Sequence, residues 1–298
     1  WKISQINKIY GHCEDRTNEV ICMRLLCKER SQWQRRMVRN FLKEIVDYKK
    51  VLLEQKSGYY AALKKNVKTA PHFNRYGLFK KAISKPDEIN LIAEIKKASP
   101  SAGIIRNPFD VESLAWIYNA AGASALSVLT EDKFFQGKPP FVRRASEEVK
   151  LPVLTKDFII HEHQIFETFC QGSSAVLLIV AILDDAQLRD LMQTAADLDM
   201  DSLVEVHDEK ELHRALKSGA DIIGINHRNL ATLEVDLAVS EQLIPHIPAG
   251  KVIVAESGIK TNAEVKKLQS LGVNAVLIGE TFLRASDAGA KVIEIMGY

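Results

Sequence analysis

The strongest constraint on this chain is a recurring texture. From about residue 90 onward, short apolar, β-branched runs return again and again. Each is followed by polar or glycine-containing residues and then by a stretch of helical periodicity. The runs fall near 91–96, 125–129, 152–155, 175–179, 202–206, 222–225, 252–255 and 275–278, with starts roughly 20–35 residues apart. That is the length of one strand-plus-helix unit, and strands that are apolar throughout belong to a parallel sheet covered by helices. Eight is the number that closes such a sheet on itself, so the pattern predicts an α/β fold, a (β/α)8 TIM barrel. The rival is a doubly wound open sheet. It usually needs fewer strands and a glycine-rich first turn, and no G-x-G-x-x-G follows the first run.

A barrel of about 250 residues leaves a remainder at the N-terminus. Between 37 and 85 the pattern is helical and amphipathic: Phe41, Ile45 and Tyr48 can share one face, and Lys85-Pro86 ends the stretch. We expect this to be a helical extension preceding the barrel, with the barrel itself spanning 86–298. Residues 1–36 differ. They hold eight Lys/Arg against four Asp/Glu, three of the four cysteines and two of the three tryptophans, while the chain begins at Trp1 and Met37 follows the segment directly. We expect them to be a non-native or dispensable segment. Their acidic residues are unusual for a targeting peptide.

The formal charge of +2, without a long block of one sign, offers no case for nucleic acid or a membrane surface. The longest apolar run, 175–183, is half the ~18 residues needed to span a bilayer. Four cysteines at spacings that match no common zinc motif suggest a reducing cytoplasm.

Function in this fold sits at the C-terminal ends of the strands, so charges there need an explanation. In the first run Glu94 and Lys96 are two residues apart and share a face, with Ala93 and Ile95 on the other. Two buried charges cost several kcal/mol each unless paired or used. One such pair could be purely structural. The pattern repeats, however: Lys156 ends the third run, Glu205 interrupts the fifth, Asn226 and Arg228 end the sixth and Glu256 the seventh. Three carboxylates and three cations at one level of a ring are better explained as an active site than as chance. Such a mixture shifts pKa values, letting a lysine act as acid and a glutamate as base near neutral pH. The turns Ser257-Gly258 and Gly279-Glu280 follow the last two runs, where this fold recurrently binds phosphate. His161 and His163 are two apart at a helix start, better suited to capping than to metal. The residues alone therefore describe metal-free acid–base chemistry, without a cofactor, on a small phosphorylated and carboxylated molecule.

The stretches Glu94-Ile95-Lys96-Lys97-Ala98-Ser99-Pro100-Ser101, Ser127-Val128-Leu129-Thr130, Lys156-Asp157-Phe158-Ile159 and Leu203-Val204-Glu205-Val206-His207 resemble those of indole-3-glycerol-phosphate synthases. So do Gly224-Ile225-Asn226, Arg228-Asn229-Leu230, Glu256-Ser257-Gly258-Ile259 and Leu277-Ile278-Gly279-Glu280, all in the family's order. The resemblance runs from about Met37 to the C-terminus and implies that the helices of 37–85 cap the barrel mouth. It implies a carboxy-lyase of tryptophan biosynthesis. That reaction converts 1-(2-carboxyphenylamino)-1-deoxyribulose 5-phosphate to indole-3-glycerol phosphate, with loss of CO2 and water. It also implies Lys156 as general acid at the carbonyl, and Glu205 and Glu94 as base and charge stabiliser. Lys96 would bind the anionic substrate and share proton transfer. Asn226 and Arg228 would orient the hydroxyls and the carboxylate side, while Glu256 and Ser257 support the network. Ser99, Gly258, Gly279 and the adjoining Glu280 would help hold phosphate. Phe135 and Phe158 would cover the aromatic ring, with ordinary packing as their alternative role.

Two positions depart from the family: His227, where a small polar residue is usual, and Ala102, where a basic one is common. His227 could point away or crowd the site. Within the fold, the rival is phosphoribosylanthranilate isomerase or another phosphate-binding barrel, which would not need both Glu94-x-Lys96 and Lys156-Asp157-Phe158. A non-catalytic barrel that keeps only the phosphate site is the rival of another class. The expected partner is the small phosphorylated substrate, with no nucleic acid and no membrane, and the expected state is a cytoplasmic monomer.

Overall fold

Strands that are apolar on both faces must be covered on both, and closing the sheet does this most economically: one face fills the barrel, the other meets helices. The computed structural model describes residues 41–67, 77–230 and 232–298. Its strands are β1 (Asn90–Ile95), β2 (Ala125–Leu129), β3 (Val153–Lys156), β4 (Ala175–Ile179), β5 (Asp201–Val206), β6 (Ile222–Asn226), β7 (Val252–Glu256) and β8 (Ala275–Ile278). Each pairs in parallel with its neighbours, and β1 pairs with both β2 and β8, so the barrel is closed. Every predicted strand lies within one residue of the observed one at each end. β6 and β7 run one residue further than their apolar runs and β3 ends one residue later, to take in Asn226, Glu256 and Lys156.

Alternation along the strands divides the core into two layers. Ile92, Leu154, Leu177, Leu203, Ile222, Val254 and Leu277 fill the interior. Leu91, Ala93, Ile95, Val176, Val204, Ile223 and Ile253 face the helices. Glu94 follows Ile92 on the inward face, as the sequence implied.

The helices before the barrel are α1 (residues 41–55), α2 (Ser57–Val67) and α3 (Leu78–Ala82). α1 lies at the mouth, where fully buried Ile45 joins Phe158, Phe134 and Phe135. α2 runs along the outside, with Tyr60 Oη donating to Glu167 at 3.3 Å and Lys64 pairing with Glu162 at 2.8 Å. α3 sits at the opposite end. Its Phe79 and the following Ile83 enter the interior cluster, and Lys80 donates its backbone N–H to Asp201, the first residue of β5. Within this extension α1 packs at the mouth, while α3 plugs the floor, where apolar strand starts would otherwise meet water. The expectation for residues 1–36 lies outside the described residues.

The other helices that matter below are α6 (Glu162–Cys170), α8 (Glu209–Lys217), α9 (Ala238–Leu243) and α11 (Glu280–Leu283), in a numbering that continues through α4 (Val111–Ala120), α5 (Pro140–Glu148), α7 (Asp185–Ala196) and α10 (Asn262–Ser270) to α12 (Ala288–Met296). Asp208 opens α8 by accepting the N–H of Glu211 at 2.8 Å. His161 opens α6: its Nδ1 accepts the N–H of His163 at 3.2 Å. Among the described residues no helix is long and apolar enough to cross a membrane.

Candidate active site

The inward face ends in polar groups at five strands, with Glu94 on β1, Lys156 on β3, Glu205 on β5, Asn226 on β6 and Glu256 on β7. Lys156, at the end of β3, extends across the barrel to β7 and β5. Its Nζ lies 2.5 Å from Glu256 Oε2 and 3.5 Å from Glu205 Oε2. Both carboxylates are almost completely buried, at 1% and 2% exposure. Glu94, at 4% exposure, forms an ion pair with Lys96, one residue beyond β1. The four proposed acid–base residues thus form two pairs within one buried cluster, and the charge of Glu94 is felt at Lys156.

Burial works against the Lys156 ammonium, but Glu256, Glu205 and Glu94 outweigh it and hold its pKa above the ordinary lysine value. It is therefore protonated in the resting site. The two carboxylates beside it are driven apart. Burial raises both, yet for Glu205 the charge of Lys156, with His207 and Asn226, prevails and lowers it. For Glu256, burial and the neighbouring Glu205 and Glu94 charges win against Lys156 and raise it. Among the described residues, Glu256 Oε1 has no hydrogen-bond partner. Pairs of carboxyl groups pushed in opposite directions are a mark of divided acid and base work.

Two glycines make the cluster possible. Gly224 pairs in register with Glu205, and a Cβ on it would stand 2.3 Å from Glu256 Oε1. A Cβ on Gly279 would stand 2.4 Å from Glu94 Oε1. Gly279 precedes α11, so its position serves both the carboxylate at its side and the helix N-terminus beyond it. Ser257 and Gly258 both take left-handed backbone conformations, with φ of 70° and 81°. Glu280 is engaged by Arg284 at 2.8 Å. Burial raises its pKa, but Arg284, Lys96 and Arg228 together lower it. A carboxylate would repel phosphate, so only the backbone at 279–280 suits that ligand.

Asn226 is buried; its Oδ1 accepts the N–H of Arg228 at 3.0 Å, and its side chain also bonds to Glu205. Arg228 is partly engaged by its own loop, donating to the Leu233 carbonyl at 3.1 Å. Ser99 is buried in the loop after β1, where its hydroxyl accepts the N–H of Ala102 at 3.2 Å. The rings of Phe135 and Phe158 lie 6.1 Å apart, tilted by 39°, over the interior cluster. His227 points away from the mouth. Its Nδ1 lies 3.0 Å from the Ser257 carbonyl and its Nε2 2.7 Å from Ser240 Oγ on α9, so it braces the β7 loop from behind.

Three contributors were not anticipated. Lys49 of α1 is 4% exposed and pairs with Asp157; its signal was a lysine four residues after Ile45 on the apolar face. Glu131 is fully buried and accepts the N–H groups of Phe134 and Phe135 at 2.7 and 3.0 Å, setting the loop that carries Phe135. Nothing local marks it. His207 touches Glu205 and is taken up below. A cavity of about 340 Å³ beneath α1 and α2 is lined by Lys49, Tyr60, Asp157 and Glu167, and by none of the four acid–base residues.

Comparison with known proteins agrees with this geometry. The family model described as indole-3-glycerol phosphate synthase matches residues 42–295. An indole-3-glycerol phosphate synthase of Caldanaerobacter subterraneus subsp. tengcongensis is 49% identical over 215 residues, 72% of this chain and 83% of that protein. The one from Acetivibrio thermocellus is 46% identical over 255 residues, covering 85% of this chain and 98% of that protein. In fold alone, the chain is similar to 3-hexulose-6-phosphate synthase from Salmonella typhimurium, with a TM-score of 0.56 at 13% identity, over 70% of this chain and 97% of that one. With a matching family model over nearly the whole barrel and relatives close to half identical, the chain belongs to the indole-3-glycerol phosphate synthase family.

Proposed function

We propose that the barrel mouth closes the indole ring of 1-(2-carboxyphenylamino)-1-deoxyribulose 5-phosphate, releasing CO2 and water and leaving indole-3-glycerol phosphate. The observation that carries this reading is the Lys156 ammonium, held between the buried carboxylates of Glu256 and Glu205. A new bond joins the ring carbon that bears the carboxylate to the ketose carbonyl carbon, and the carbonyl oxygen needs a proton at that moment. Lys156 supplies it. Loss of CO2 returns an electron pair to the ring. The new hydroxyl then leaves as water, while the neighbouring methylene carbon gives up a proton.

The chemistry therefore needs an acid twice and a base once. Two lysines and two glutamates in two adjoining pairs suit it: Lys156 with Glu205, and Lys96 with Glu94. Lys96 also attracts the anionic substrate. Asn226 and Arg228 orient the hydroxyls and carboxylate side, and Glu256 and Ser257 support the network. Ser99, Gly258, Gly279 and the backbone of Glu280 hold the phosphate, with Phe135 and Phe158 against the aromatic ring. The same reading takes the enzyme to act as a cytoplasmic monomer on this small substrate.

The test is to add the substrate to purified protein, without metal or nucleotide, and follow indole fluorescence. Emission that disappears in Lys156→Ala is the expected result. Silence from folded protein that still binds the substrate would replace this reading with a non-catalytic barrel.

A further inference from the structure

Glu205 has a neighbour that the ring-closure chemistry leaves unused. His207 lies one residue beyond β5, with its side chain only 12% exposed. Its Nε2 is 3.2 Å from Glu205 Oε1, within ion-pair reach although off the line of a hydrogen bond. Its Nδ1 is 2.9 Å from Glu211 Oε2, and the same oxygen accepts the backbone N–H of His207 at 2.9 Å. Glu211 is itself set in the first turn of α8, where Asp208 caps its N–H. The imidazole is thus clamped between one carboxylate that has no role in the mouth and one that has.

Beyond Glu205 the alternation continues. Its Oε2 faces Lys156, which in turn meets Glu256. Five side chains of alternating charge therefore connect the start of α8 to the end of β7. Burial disfavours a charged imidazole, but Glu205 and Glu211 overcome this and raise the pKa of His207 to about 10. Through the neutral range the ring is a cation. The charged groups that face this pair are Glu211 from α8, Lys156 from β3 and Glu256 from β7, with Glu94 from β1 acting on Lys156 and Glu256. Without His207, Lys156 would be the one cation left beside Glu205 and Glu256 among the described residues, and Glu205 Oε1 would lose the cation that faces it.

We propose that His207, anchored by Glu211, is a positioning residue that holds the Glu205 carboxylate toward Lys156 and keeps it ready to act in the acid–base steps. The inference rests on the role of Glu205 in the proposed ring closure. His207 itself does not touch the reacting atoms.

The experiment compares His207→Gln and Glu211→Gln with the parent by steady-state kinetics across pH, alongside thermal melts. Removing the cation lets the Glu205 pKa rise, so the acidic limb of kcat moves to higher pH. In His207→Gln we expect a kcat loss of about 10-fold, a KM within about twofold and a limb displaced upward by about one pH unit. Glu211→Gln leaves the imidazole in place and should move both in the same direction by less, and it serves if His207→Gln does not fold. A role confined to stability would lower the melting temperature and leave the limb where it is. Parental kcat and an unmoved limb in an active protein would overturn the inference.

A second readout is independent of turnover: the ring signals of His207 by NMR in protein labelled at histidine. They should stay those of a doubly protonated ring to above pH 8 in the parent and titrate at least about one unit lower in Glu205→Gln. An unchanged titration would also overturn the proposal. If the parent turns nothing over, it is the ring-closure reading that fails, and the NMR comparison still decides whether His207 and Glu205 are coupled.

Discussion

Lys49 Nζ lies 2.6 Å from Asp157 Oδ1, joining a helix that precedes the barrel to the residue next to the proposed acid. Both side chains are nearly inaccessible, at 5% and 11% exposure. Asp157 is further held by the Thr130 hydroxyl at 2.6 Å and by the N–H of Phe158 at 2.7 Å. Burial disfavours the Lys49 charge, but Asp157 more than compensates and raises its pKa. The extension is thus fastened to the catalytic end of β3 by charge as well as by the packing of Ile45.

Removing the cation of this pair should be costly, because the carboxylate stays behind. Lys49→Met should lower unfolding stability by about 3 kcal/mol, the low end for breaking a buried pair, since Asp157 keeps two other donors. Chemical denaturation of Lys49→Met, Asp157→Asn and the double variant would measure it. The double variant should lose less than the sum of the singles; strict additivity would show that the contact is not energetically real.

Turnover should respond to the second pair in the mouth by more than stability does. Lys156→Ala and Glu205→Gln should each reduce kcat by about 10²-fold or more, the scale of positioned acid–base groups. Single-turnover fluorescence would separate this from slow product release. A variant with near-parental chemistry would remove its residue from the mechanism.

Gly279→Ala should damage the site without touching a charged group. The added methyl would fall 2.4 Å from Glu94 Oε1 and 2.8 Å from Glu94 Cβ, so Glu94 must leave its place beside Lys96. We expect kcat/KM to fall by about 10-fold or more, since a misplacement near 1 Å can cost two orders of magnitude. Kinetics that match the parent would mean that the β8 turn opens freely to make room.

His227 should leave a signature in acid. Burial lowers its pKa, against the opposing effects of the Ser257 carbonyl and Asp236, so between that lowered value and about 6.5 the unfolded chain binds more protons than the folded one. Its contribution is fully present above about pH 6.5 and is lost as pH falls toward the folded value, at about 1.4 kcal/mol per unit of difference. Denaturation midpoints measured from pH 7.5 down to 5 should fall less steeply in His227→Gln than in the parent. Parallel curves would contradict the assignment of a neutral, buried imidazole.

The extent of the barrel could be read from the chain because its strands carry their own signal. Eight apolar runs at βα spacing leave few architectures, and interruptions such as Glu94, Glu205 and Glu256 are conspicuous wherever every neighbour is apolar. Strand ends came out within one residue for the same reason: burial on both faces makes a run as long as the barrel is tall. Alternation then settled that Glu94 points inward. Local order stops there. Nothing in a run says which carboxylate faces which lysine, and the partners proved to lie up to a hundred positions apart, as Lys156 and Glu256 do. Ion pairs depend on register and on the tilt that closing a barrel imposes, and those are properties of all eight strands together.

Local order also could not show that α3 fills the floor while α1 covers the mouth, since both mix apolar and charged residues in the same helical pattern. Lys49 looked like one lysine among many until its helix was placed against Asp157. His227 could have pointed either way; the β6 strand turns it outward to Ser240, leaving Asn226 and Arg228 on the inner side. The sequence by itself determined how many strands there are, where they end and which of them carry charge, because burial and periodicity are local. Which charges meet, and so which are held ionised, was decided only by the tertiary structure, because pairing is set by distance in space.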